Sequence, residues 1–197
     1  MTLSPESLVI WRGNHKHDSD DIDNIISSLI DIPESKRECG VGILYTSFFI
    51  KDIFERPEVV LVDSYKDIVS QIITDLNLGS GESSFNYWTQ VYDGEHNEHM
   101  HFSANIPISF VHFVRPTEKK CFHFVGSDGK KHYPQQDEGD IIAFPSWALH
   151  AIDESYGNMR MTIAGNILFT SISTPKNDFT SRITVVREGL YITENFN

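Results

Sequence analysis

The chain has 197 residues, 40% of them hydrophobic and 12% aromatic, and its 16 Lys and Arg against 28 Asp and Glu give a formal charge of −12. That length and composition fit one globular domain with a core of its own and exclude a disordered polymer. The acid excess argues against nucleic acid or an anionic membrane surface as the main partner and suits a protein that holds a cation.

Cys39 and Cys121 are the two cysteines and make no disulfide framework. Residues 1–12 lack a basic stretch followed by an apolar run, so no signal peptide is expected. The apolar runs at 41–44 and 141–144 are too short to span a bilayer. A soluble, cytoplasmic protein is expected.

The spacing predicts a helix over 21–32, where Ile22, Ile25, Ile26, Leu29 and Ile30 form one stripe. Asp18, Ser19, Asp20 and Asp21 offer N-caps, and Pro33 ends it. A second helix is predicted over 65–78, with Ile68, Val69, Ile72, Ile73 and Leu76 as its stripe. Ser64 and Asp67 have capping-box spacing, and Gly79 suits the C′ position. Strands are predicted over 85–92, 107–114, 121–125, 140–144, 148–153, 160–169 and 182–187. Turn residues at Asp93-Gly94, Asp128-Gly129, Glu138-Gly139 and Tyr156-Gly157-Asn158 separate them. Many short strands at this spacing imply a sandwich or barrel, with both helices on one outer face. The expected organisation is a single domain, 1–197. Residues 1–84 form a helical support region and 85–190 the β core.

Three of the nine histidines, His96, His99 and His101, fall within six residues. Positions i and i+2 on a strand share a face, so His99 and His101 can offer two imidazoles to one metal ion. His150 is the natural third ligand. It follows an apolar strand and a Pro turn, in a segment free of charge between Asp140 and Asp153. His15 and His17, in a charged stretch, read as surface residues, and so does His132 beside Lys130 and Lys131. His123 alternates with Phe122 and Phe124. His112 lies on an apolar strand, where an inward polar group needs a partner. Arg160, Thr162, Ala164 and Asn166 share one face of a strand, opposite Met161, Ile163 and Ile167. That polar face is either wet or a pocket wall. In a pocket, the planar fork of Arg160 matches a carboxylate and Thr162 adds a hydroxyl.

The order His99-x-His101, Gly139-Asp-Ile-Ile-Ala-Phe-Pro-Ser-Trp-x-x-His150 and Arg160-x-Thr-x-x-x-Asn166 resembles the 2-oxoglutarate and Fe(II)-dependent oxygenases. The branch it resembles most is the prolyl-4-hydroxylase-like oxygenases of bacteria and marine phages, over roughly residues 85–170, with Trp88 and Ser109 also matching in order. The resemblance implies a double-stranded β-helix, a cupin-like jelly roll. It implies Fe(II) on His99, His101 and His150, and 2-oxoglutarate held by Arg160 and Thr162, with Asn166 and His112 in the same cosubstrate site. The substrate would be a small molecule or a peptidyl side chain. Trp88, Tyr92, Phe113, Phe144 and Trp147 would line the cavity.

One position departs from the wider superfamily, which places a carboxylate where His101 stands. Either three histidines hold the metal, or Glu98, Asp93 or Glu95 supplies the carboxylate. Three rival readings stay open: a three-histidine cupin-type dioxygenase that needs no 2-oxoglutarate, a non-catalytic jelly-roll binding module, and a zinc site. The oligomeric state is open as well, a homodimer included.

Overall fold

The computed structural model describes residues 8–36, 42–78, 80–93, 96–99, 107–153, 159–173, 182–186 and 191–195. Its centre is an eight-stranded, mainly antiparallel sheet with a smaller four-stranded sheet in front of it. The strands are β1 (Trp11–Asn14), β2 (Ile43–Thr46), β3 (Ser80–Tyr92), β4 (His96–His99), β5 (Ile108–Arg115), β6 (Phe122–Val125), β7 (Lys131–His132), β8 (Asp140–Pro145), β9 (His150–Ile152), β10 (Arg160–Ser173), β11 (Arg182–Val186) and β12 (Tyr191–Asn195). The large sheet runs β1-β8-β5-β10-β3-β11-β12, with β2 also on β3, and the small one runs β4-β9-β6-β7. From β3 to β10 the chain therefore passes repeatedly from one sheet to the other.

Two helices, α1 (Ser19–Asp31) and α2 (Val62–Asp75), lie behind the large sheet. Helix α1 starts at its predicted cap, where the Asp18 carboxylate accepts from the Asp20 N–H at 2.8 Å. Helix α2 starts earlier than its sequence spacing suggests and has no side-chain cap. A 3-10 turn over Pro57–Leu61 runs straight into it, so Ser64 sits inside the helix. The apolar stripes of both helices join Phe85, Tyr87, Phe110, Ile141, Met161, Ile163 and Ile167 in one core. A second core, built on Val111, Phe113, Phe122, Phe124, Ile142 and Phe144, fills the space between the sheets. Strand β5, at the centre of the large sheet, is thus covered on both faces and is buried from Ile108 through Val114.

Strands β1, β2, β4, β7 and β12 are absent from the sequence expectation. The first two bring the N-terminal region into the large sheet, β1 against β8 and β2 against β3. The turn before β8 needs Gly139, whose φ of 87° is the left-handed region.

Candidate functional site

Period-two alternation decides which side chains meet between the sheets. On β3 the even positions Trp88, Gln90 and Tyr92 face forward, as do Ser109 on β5, Phe144 on β8 and Thr162, Ala164 and Asn166 on β10. Together with Phe122, His150 and Ile152 from the small sheet they line one pocket. It encloses about 40 Å³, several times the roughly 10–15 Å³ that one water needs.

His150 opens β9 and is buried, edge-on to Phe144 with ring centroids 5.1 Å apart and tilted against Phe122 at 5.6 Å. Its Nδ1–H donates to the carbonyl of Ala148 at 2.8 Å. A carbonyl can only accept, so the tautomer is fixed and Nε2 carries the lone pair, which is how a ligating imidazole is usually oriented. Strand β4 pairs with β9 so that His99 lies directly opposite His150 across the ladder. His101 and Glu95, and the side chains of His99 and Glu98, lie outside what the structure describes. Among the described residues no three His, Cys, Asp or Glu are grouped to hold a metal ion.

Arg160 begins β10, with its Cα opposite that of Tyr92 and its guanidinium 4.7 Å above the Tyr92 ring. The residue is 4% exposed, yet Nε, Nη1 and Nη2 are all buried with no hydrogen-bond partner. A buried cation with three orphan donors is costly unless an anion completes it. The cation–π contact with Tyr92 offsets only a small part of that cost. Such a guanidinium fits a carboxylate, bound bidentately.

Along the rest of the pocket wall most acceptors are already engaged. Ser109 Oγ–H donates to Asn166 Oδ1 at 2.8 Å, and Ser146 Oγ lies 3.0 Å from Ser109 Oγ. The Tyr92 hydroxyl donates to Gln90 Oε1. With their oxygens engaged, Asn166 and Gln90 present amide N–H groups. Trp88 Nε1–H is buried and unpartnered. Among the described residues the wall presents mostly donors, and it suits a ligand rich in acceptors.

The structure brings His150, Thr162 and Asn166 together in the pocket lining, with Arg160 beside Tyr92 of that lining, and it moves other candidates away. His112 is on the opposite face of β5, toward the helices, so the expectation that it contacts the cosubstrate is corrected. Its Nδ1 is 2.7 Å from the Tyr65 hydroxyl and its Nε2 2.8 Å from the carbonyl of His15, so both ring nitrogens are engaged. An even-numbered position on β5 points backward because Ser109, Val111 and Phe113 take the front. His15 and His17 are corrected too: they are partly buried, and the His17 ring packs 5.1 Å from that of His112. Trp147 is 54% exposed in the turn between β8 and β9, and Phe113 is core between the sheets, so neither lines the pocket. Gln90 and the hydroxyl pair Ser109 and Ser146 are pocket features the sequence argument did not assign. The alternation of β3 and β5 was the signal for Gln90 and Ser109.

No family model and no curated protein sequence matches the chain. Solved structures share its fold at low identity. A viral collagen prolyl hydroxylase from Paramecium bursaria chlorella virus-1, in complex with 2-oxoglutarate, is 9% identical with a TM-score of 0.57, covering 82% of this chain and 96% of its own. A prolyl-4-hydroxylase from Pseudomonas putida is 14% identical with a TM-score of 0.53, covering 81% and 90%. The α-ketoglutarate-dependent non-haem epimerase SnoN from nogalamycin biosynthesis is 12% identical with a TM-score of 0.57, covering 94% and 89%. This likeness is one of fold.

Proposed function

We propose that the protein is a non-haem Fe(II), 2-oxoglutarate-dependent dioxygenase that hydroxylates a small molecule or a peptidyl side chain. The observation that carries this is Arg160: a buried guanidinium with three unpartnered nitrogens, stacked on Tyr92 of a donor-lined pocket that also holds His150, whose Nδ1 is fixed by the Ala148 carbonyl. The strand orders β8-β5-β10-β3 and β4-β9-β6-β7 support a double-stranded β-helix, and solved structures of that enzyme class share the fold.

In this reading His150 holds the iron through Nε2, with His99 opposite it on β4 and His101 as the further ligands. Arg160 takes the distal carboxylate of 2-oxoglutarate, and Thr162 adds its hydroxyl. When bound, Fe(II) and 2-oxoglutarate would activate dioxygen, the oxidant: one oxygen atom would enter the substrate C–H bond and the other the succinate left as 2-oxoglutarate loses carbon dioxide. The chain's own part is placement. The Ala148 carbonyl holds the proton on His150 Nδ1, the Tyr92 ring supports the guanidinium, and Phe122 and Phe144 exclude water around the imidazole.

The test is an anaerobic titration of the Fe(II)-loaded protein with 2-oxoglutarate, followed by its visible absorption band, with Arg160→Gln in parallel. Wild type gives a saturable band. The variant binds 2-oxoglutarate about 10–100-fold more weakly, the loss expected for hydrogen bonds to a charged group. Bound iron with no band would overturn the proposal in favour of a three-histidine site that needs no 2-oxoglutarate.

A further inference from the structure

The face of β10 that begins at Arg160 runs on past the cosubstrate it is proposed to hold. From Arg160 to Ala164, four residues of extended strand advance about 13 Å. A five-carbon dicarboxylate has four C–C bonds of about 1.5 Å each and stays under about 6 Å. Ala164 pairs across the ladder with Trp88, and its small side chain leaves the indole room to reach into the pocket. Trp88 is 6% exposed, and its Nε1–H is buried without a partner. Leaving that donor empty is unfavourable, so it marks a place where a ligand acceptor belongs.

A wall stands beside it. The ring of Phe48 meets the Trp88 ring edge-on, with centroids 5.2 Å apart, and remains 38% exposed. Its position is fixed from the backbone side. The Ser47 N–H donates to the Thr89 carbonyl at 3.1 Å, and the Thr89 N–H donates to Ser47 Oγ at 2.9 Å. The Ser47 hydroxyl in turn donates to the buried Glu58 carboxylate. Among the described residues no Asp or Glu lines the pocket, although the whole chain carries −12.

Resting on the dioxygenase reading, we infer that Trp88 is a specificity-determining residue at a primary-substrate subsite. It selects an apolar group that carries an uncharged or anionic hydrogen-bond acceptor, and it rejects a cationic one. The acceptor meets Trp88 Nε1–H, the apolar part lies against Phe48, and nothing in the described lining compensates an ammonium or guanidinium.

Three cyclohexane probes differing only in head group test this: cyclohexanecarboxamide, cyclohexanecarboxylate and cyclohexylmethylammonium. They are titrated into the full chain with Zn(II) and 2-oxoglutarate bound, and the indole N–H resonances are followed by NMR. Trp88→Phe identifies the Trp88 signal by its disappearance. The carboxamide and the carboxylate are expected to shift that signal downfield, and the ammonium to leave it in place. By a second readout of binding, Trp88→Phe weakens the carboxamide about fivefold. Phe48→Ala, at a half-exposed position, weakens both acceptor probes about threefold, which guards against misfolding of the first variant. Equal binding of the ammonium, or an unchanged carboxamide affinity in Trp88→Phe, would overturn the inference. So would 2-oxoglutarate alone shifting the Trp88 signal, since that would place the indole at the cosubstrate. Carboxamide binding that persists when 2-oxoglutarate fails to bind would sink the dioxygenase reading and leave the subsite standing.

Discussion

Acidifying the protein from pH 7 to 5.5 removes about 1 kcal/mol of stability through His112 alone. Burial behind the large sheet first, then the neighbouring His17, push the His112 imidazole down from 6.5 to about 3, with the His15 carbonyl raising it and the His15 ring lowering it by less. The folded pKa lies below the unfolded one, so between pH 6.5 and 3 the unfolded chain binds the extra proton. The stabilisation is complete above 6.5 and is lost as pH falls toward 3. Protonation of the unfolded imidazole, near its ordinary 6.5, favours unfolding by somewhat over about 1 kcal/mol at pH 5.5 and by only a small fraction of that at pH 7, and the difference is the predicted loss. The window from 7 to 5.5 stays above ordinary carboxylate titration. His17, lowered to about 4 by burial and then by His15, against a raising Asp21, acts in the same direction, but its partial exposure discounts the effect. The assay is a series of urea melts of wild type and His112→Gln between pH 7 and 5.5. Gln keeps a donor near the His15 carbonyl and has no titration there. The variant is less stable throughout, so the quantity compared is the slope against pH. Parallel slopes would refute the claim that His112 is buried neutral.

Three further outcomes follow from the same geometry. Gly165→Ala costs about 1–3 kcal/mol in a denaturant melt, because a Cβ there meets Phe110 Cζ at 2.3 Å and the Asn86 carbonyl at 2.5 Å; a neutral result would show that β10 and β3 yield easily. Ser109→Ala costs about 1–3 kcal/mol, since it strips Asn166 Oδ1 of its donor in a buried place; an unchanged melt would mean the triad with Ser146 is not formed. Zn(II) at about 100 times its Kd stabilises wild type by about 2.7 kcal/mol. That raises the thermal midpoint by roughly 5–10 °C for a chain of this size, and the rise vanishes in His150→Ala; an equal rise in the variant would remove His150 from the ligand set.

Much of this was legible in the sequence because periodicity is a local property. Ile22, Ile25, Ile26 and Leu29 announce α1, and all four are buried against the sheet. Arg160, Thr162 and Asn166 share a face by spacing alone, and the structure adds that all three are buried and that Thr162 and Asn166 line a pocket. What stayed hidden depends on partners far along the chain. Strand β1 has four residues and exists because β8 pairs with it. Trp11 in that strand gives its indole N–H to Asp75, 64 residues away. His15 and His17 read as surface residues because nothing local shows that Tyr65 and His112 close over them. The orphan donors of Arg160 and Trp88 are likewise invisible in sequence, since an unmade hydrogen bond is known only once every neighbour is placed.

The strand β5 shows why one residue of register separates site from scaffold. Ser109 faces forward and organises Asn166 in the pocket, while His112, three positions later, faces backward and ties Tyr65 of α2 to the carbonyl of His15. An odd spacing on a regular strand divides the faces, so Ser109 and His112 cannot serve one ligand. Strand β10 applies the same rule with a correction. Its ladder to β5 slips between Met161 and Thr162, so that Met161 opposes Arg115 and Thr162 opposes Phe113. Such an irregularity re-aims a strand end. Arg160 lies just before it, against the ring of Tyr92 on the other neighbouring strand. The guanidinium rests on the Tyr92 ring of β3, and among the described residues its three nitrogens have no partner, which leaves them for an anion.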